Sequence, residues 1–173
     1  MKLKLNDKKE IVANVAEVAS KAVSVVAADY RGLTASQMTK LRANARNANV
    51  SLKIVRNTLT RIAFTGTEFE CLNNSLTGPI LLAFTSDAPG AAAKLMRDFA
   101  KDNNKLDVKA ISLGGKLYDK SHLDSVATLP TKDEAIARLM SVMQAPISKL
   151  VRTIAEPTGK LVRTIAAIRD TKQ

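Results

Sequence analysis

The sequence predicts an α+β fold: an N-terminal sheet-and-helix sandwich, then a long, proline-bent amphipathic C-terminal helix. Three observations predict it. Over residues 1–130, short β-branched runs alternate with apolar stripes of helical period. Leu129-Pro130 closes that stretch, and Thr131 with Glu134 forms a capping box that opens a new helix. Beyond it, the apolar residues recur every eleven positions.

Taken in order, Asp7 and Glu10 read as a capping box, and Ile11, Val12, Val15, Val18 and Ala19 give the first helix one apolar face. Ala22–Ala28 is a buried strand by its β-branched content. Asp29-Tyr30-Arg31-Gly32 is a polar turn. Thr34 or Ser36 caps a second helix reaching about Ala48, with Met38, Leu41 and Ala45 inward. Val50–Val55 is a second strand, with Lys53 on the face opposite Leu52 and Ile54. Asn57 caps a third helix that Gly66 ends. Pro79–Phe84 is the third strand. Asp87 and Pro89 open a helix with Leu95, Met96 and Phe99 on one face. Leu106–Leu113 is a fourth strand whose alternation is too irregular to assign a face. Gly114-Gly115 is a hairpin turn, and Ser121–Ala127 a short helix.

The tail carries three units, 136–146, 147–157 and 158–168. Lys149–Ala155 recurs identically as Lys160–Ala166. The matching apolar slots are Ile136, Leu139, Met140 and Met143; then Ile147, Leu150, Val151 and Ile154; then Leu161, Val162 and Ile165, with Thr158 in the first slot. This i, i+3, i+4, i+7 spacing is one helical stripe, and eleven residues make close to three turns. Forty helical residues span about 60 Å, whereas a 130-residue domain has a radius of gyration of about 14 Å. The stripe is therefore expected to dock partners. A coiled coil wants a period of seven, and a membrane-surface helix wants Trp or Phe anchors that this stretch lacks. Pro146 and Pro157 occupy equivalent positions and are expected to divide the tail into three short rods joined at two bends.

Composition narrows the function. The chain has 27 Lys+Arg against 16 Asp+Glu, a net charge of +11, which points to nucleic acid or another anionic surface. The single Cys71 reads as a small buried hydrophobe. No eighteen-residue apolar run and no signal-peptide pattern is present, so a soluble cytoplasmic protein without membrane contact is expected. His122 is the lone histidine, no Gly-rich loop ends in Gly-Lys-Ser/Thr, and no carboxylate pair stands out. A binding module without cofactor or metal is expected rather than an enzyme.

From Tyr30 to Thr67 there is no Asp or Glu, yet seven cations: Arg31, Lys40, Arg42, Arg46, Lys53, Arg56 and Arg61. Arg42 and Arg46 are i, i+4 on one helix face. Arg56-Asn57-Thr58 stands at a helix start, where free N–H groups suit phosphate oxygens. Tyr30 offers a ring beside Arg31, and Gly32 permits close backbone approach. Phosphate clamping with one stacking residue needs this set, so Tyr30, Arg31, Gly32, Arg42, Arg46, Lys53, Arg56, Asn57, Thr58 and Arg61 are the candidate RNA-binding residues.

Tyr30-Arg-Gly-Leu-Thr34, Leu41-Arg42, Arg46, Val55-Arg-Asn-Thr-Leu59 and Gly78-Pro79 together resemble the bacterial ribosomal stalk base family, large-subunit ribosomal protein ten. The Leu129-Pro130 junction and the Ile136 stripe match as well, so the resemblance covers essentially the whole chain. It implies an rRNA-binding domain, 1–130, at the GTPase-associated region of the large subunit beside ribosomal protein eleven. It also implies a C-terminal tail, 131–173, that carries dimers of the acidic stalk protein seven/twelve, which recruit translational GTPases. Three repeats lead us to expect three dimers. A second reading is a regulatory RNA-binding protein outside the ribosome that docks another helical partner.

Overall fold

A computed structural model of the chain describes residues 4–171 apart from 87 and 104, and apart from the side chain of residue 158. Two compact units emerge, Met1–Lys132 and Asp133–Gln173.

The first unit is a five-stranded antiparallel sheet in the order β2-β3-β1-β4-β5. Its strands are β1 Ser24–Asp29, β2 Val50–Ile54, β3 Ile80–Thr85, β4 Asp107–Leu113 and β5 Lys116–Asp119. Helices cover both faces: α1 Leu5–Lys21, α2 Ala35–Asn47, α3 Asn57–Phe64, α4 Ala91–Asp102 and α5 Leu123–Ala127, with a 3-10 turn over Glu68–Asn74. One core layer joins Val26, Leu81 and Ile111 to Leu41, Met96 and Val126 of α2, α4 and α5. The other joins Val25, Leu82 and Phe84 to Val15, Phe64 and Leu72 of α1, α3 and the 3-10 turn. Adjacent residues of β1 serve opposite layers, as the pleat requires, so β1 and β3 are buried almost throughout.

Local chemistry explains most boundaries. Thr34 caps α2, with Gln37 returning to the Thr34 N–H at 2.9 Å. Gly114 and Gly115 both have positive φ and close the β4–β5 hairpin, where Leu113 faces Lys116. Two caps differ from expectation. Asp7 accepts from the Lys4 N–H at 3.1 Å, so it lies inside the first turn and α1 begins at Leu5. Arg56, not Asn57, holds the N-cap position of α3, because the Asn57 side chain is drawn away to another loop. Asp87 lies outside the described residues; α4 starts at Ala91.

The irregular fourth strand has a physical cause. β1 and β4 are in register from Ser24↔Leu113 to Ala27↔Ala110, but Ala28 then faces Val108. Lys109 is thus the extra residue of a bulge. It resets the alternation, so Val108 and Ile111 reach one core layer and Ala110 the other. Cys71 is half-buried, with Sγ 3.3 Å from Ser112 Oγ.

The second unit is α6, Lys132–Thr171. It is one long helix, bent as expected, and it stays helical through Pro146 and Pro157 instead of breaking into three rods there. Each proline lacks the N–H that would have met the carbonyl four residues back, Val142 or Thr153, and its ring crowds that carbonyl, which bends the helix. The rest of the ladder carries the backbone across. All three stripes are exposed, from 42% at Ile136 to 71% at Ile154.

Candidate nucleic-acid interface

The acid-free window folds into three consecutive elements, α2, β2 and α3. Strand β2 is an edge of the sheet. α2 belongs to one layer and α3 to the other, so the window wraps that edge. Arg42 and Arg46 are exposed on α2, whose buried face carries Leu41 and Ala45. Lys53 is exposed on β2 with its side chain toward α1 and α3, while Leu52 packs into the α2 layer. The cations therefore form a rim around an edge rather than one flat face. Among the described residues, none of the seven is ion-paired.

Part of the expected set converges. A shallow cleft of about 520 Å³ brings Tyr30 together with Arg56, Asn57 and Thr58 and is walled by Gly78 and Pro79. Tyr30 has one side against the core and the other on the cleft. Among the described residues, no side chain caps the first turn of α3, so its N–H groups are not taken up by a side-chain cap. Arg31 and Gly32 lie in the adjoining turn; the Arg31 N–H donates to Asp29 Oδ1 at 2.9 Å, and Gly32 has φ +88°.

The cleft wall is held by a side-chain clamp. Asn57 Nδ2 donates to the Leu76 and Gly78 carbonyls at 3.3 and 2.8 Å. Arg61 Nη2 donates to the Leu76 carbonyl at 3.1 Å. Lys109 Nζ donates to the Thr77 carbonyl at 2.5 Å and lies 3.5 Å from Asp29 Oδ2. Three successive carbonyls are thus engaged by side chains from α3 and β4. Asn57 and Arg61 position this loop, and Arg61 is only partly available for phosphate. A Cβ on Gly78, where φ is +85°, would come within 3.4 Å of Lys109 Nζ and 3.7 Å of Arg31 Nη2. Lys109 and Lys105 carry no signal in the sequence pattern. The Lys105 stem would be 3.4 Å from a Cβ on Gly32. Both lie outside the acid-free window, among Asp102 and Asp107, so charge patterning does not mark them.

In the tail, the apolar slots 136, 139, 140 and 143, then 147, 150, 151 and 154, then 161, 162 and 165 all line an exposed helix, with Ile168 beyond them. Lys160 pairs with Glu156 at 3.0 Å on that helix. Among the described residues, no cluster of three or more His, Cys, Asp or Glu could hold a metal, and no helix is long and apolar enough to cross a membrane.

A basic-rimmed sandwich followed by a helix with a periodic, exposed apolar stripe is the arrangement of a scaffold component. The chain belongs to the ribosomal protein L10 family: that family's model matches residues 3–101, and the model of the ribosomal protein uL10 C-terminal region matches 129–155. It is 59% identical over 173 residues to the large ribosomal subunit protein uL10 of Alcanivorax borkumensis, covering all of this chain and 98% of that one. The corresponding proteins of Hahella chejuensis and Legionella pneumophila are 53% identical over 173 residues and 57% over 172, each covering at least 97% of the relative. The chain is therefore a structural constituent of the large ribosomal subunit, located with bacterial ribosomes in the cytoplasm.

Proposed function

We propose that the protein is the base of the ribosomal stalk. Its first unit anchors on large-subunit rRNA through the rim around β2, beside ribosomal protein eleven. Its α6 helix tethers three dimers of the acidic stalk protein seven/twelve, which recruit translational GTPases. The observation that carries the reading is the exposed stripe repeated at eleven-residue spacing along α6. An apolar i, i+3, i+4, i+7 ladder in water is the pattern a groove-bearing partner reads. Four fully buried anchors contribute about 6–12 kcal/mol before association costs.

Charge supports the choice of partner. Over 131–173 there are eight Lys+Arg against four Asp+Glu, which favours an acidic one. The acid-free window of the first unit offers seven cations and the uncapped first turn of α3, which suit phosphates. The test is reconstitution. Large subunits stripped of this protein and of the acidic stalk protein should regain both when both are supplied. A tail-truncated chain should return alone. Rebinding of the acidic protein alongside the truncated chain would remove the tail from the reading.

A further inference from the structure

We propose that the segment Ile54-Val55-Arg56 is a saddle over which the RNA runs unpaired, with a base in the cleft on each side. This rests on the RNA-anchoring reading and specifies the form of RNA that the site takes. The cleft of about 520 Å³ beside Tyr30 has a counterpart of about 330 Å³ on the opposite flank of the same segment. That second cleft is lined by Ile11 and Val15 of α1, Leu59 of α3, and Asn14, with Lys53 at its edge. Ile54, Val55 and Arg56 line both.

The chemistry of the two clefts fits nucleotides without pairing partners. A duplex offers a protein its phosphates, its 2′-hydroxyls and a shallow minor groove, and would leave recessed apolar walls empty. An unpaired nucleotide has a base face to bury and one phosphate to place outside. On one flank, Tyr30 and Pro79 supply the ring and the apolar wall, and Asn57 and Thr58 the polar edge. On the other flank, Ile11 and Leu59 supply the wall, and Asn14 the edge. Arg56 sits where a phosphate between the two bases would lie. Among the described residues, no carboxylate lines either cleft. Ile54, at the crest, is 42% exposed although it ends a strand of the sheet. The clamp on Leu76–Gly78 keeps the Tyr30 cleft open before RNA arrives, which lowers the ordering cost of binding.

The test uses the full chain and deproteinised large-subunit rRNA carrying 4-thiouridine. After irradiation, cross-linked peptides are sequenced by mass spectrometry. We expect peptides containing residues 54–59 joined to uridines that are unpaired in the free RNA. Ile54→Ala should weaken RNA retention about tenfold while leaving the salt slope unchanged, because the substitution removes apolar surface and leaves every phosphate neutralised as before. Circular dichroism should show the variant folded at the assay temperature, with a modestly lower melting temperature, and Ile54→Val should restore affinity. Wild-type retention of RNA with no cross-link in this segment, or with cross-links only to paired uridines, overturns the saddle and leaves RNA anchoring standing. Full affinity in Ile54→Ala likewise overturns it and points to a protein occupant of the edge. Failure of the wild type to retain the RNA removes both readings.

Discussion

Asn57 and Arg61, one helical turn apart on α3, donate to a single acceptor, the Leu76 carbonyl oxygen, at 3.3 and 3.1 Å. Sharing one oxygen makes the two side chains energetically interdependent. Asn57→Ala and Arg61→Met should each destabilise the domain by about 1–2 kcal/mol, since a partly buried carbonyl loses a donor. The double variant should deviate from additivity by about 0.5 kcal/mol or more. Urea denaturation of the four proteins measures this cycle; two neutral, additive substitutions would mean that the clamp is decorative.

The exposed cations should behave differently. Replacing Arg42, Arg46, Lys53 and Arg56 together by uncharged residues should leave thermal unfolding nearly unchanged, because all four side chains are exposed. RNA affinity should fall, and the salt slope should drop by about 0.7–0.9 for each phosphate that the variant no longer neutralises. Filter-binding titrations across a range of salt give the slope. An unaltered slope would place the RNA surface elsewhere on the molecule.

The two units should separate without loss of their individual properties. Residues 1–130 contain both core layers and should fold and bind RNA alone. The isolated 131–173 peptide has no core to pack against and holds two interior prolines, so it should be poorly helical in water. Adding the acidic stalk dimers should raise its helicity. Circular dichroism decides: a strongly helical free peptide contradicts folding coupled to docking.

Partner number follows from the repeats. Native mass spectrometry of the assembled complex should show six copies of the acidic partner, two per repeat. Deleting 158–168 should reduce this to four and leave RNA binding intact. The third site replaces an isoleucine slot with Thr158, so it should be the weakest, by about tenfold or more. Thr158→Ile should narrow that gap. A ceiling of four copies in the full-length complex would show that the third repeat is no site.

What the chain's order reveals is local. The stripe of α1, the Thr34 cap, the Gly114-Gly115 turn and the eleven-residue period all depend on residues close in sequence, and each survives in the structure. What escapes depends on residues far apart. The Lys109 bulge is visible only against β1, and Asn57 looks like a cap until the Leu76–Gly78 loop arrives beside it. The same distance effect divides the expected RNA set. Tyr30, Arg56, Asn57 and Thr58 meet in one cleft, whereas Arg42, Arg46 and Lys53 lie around the sheet edge. The prolines signal a bend, and α6 is bent, but nothing local in the sequence decides between a bend and a break.

The unbroken course of α6 has an arithmetic consequence. At about 100° per residue, eleven residues overshoot three turns by only about 20° and advance about 16 Å. Inserting or excising one whole unit therefore moves the outer end of the helix without swinging its apolar seam to another side. A change of one or two residues would rotate the seam out of line. The tail can be lengthened in quanta, each adding one more set of apolar slots in line with the last, so a single in-frame duplication of the gene segment for one unit extends the seam without breaking its alignment.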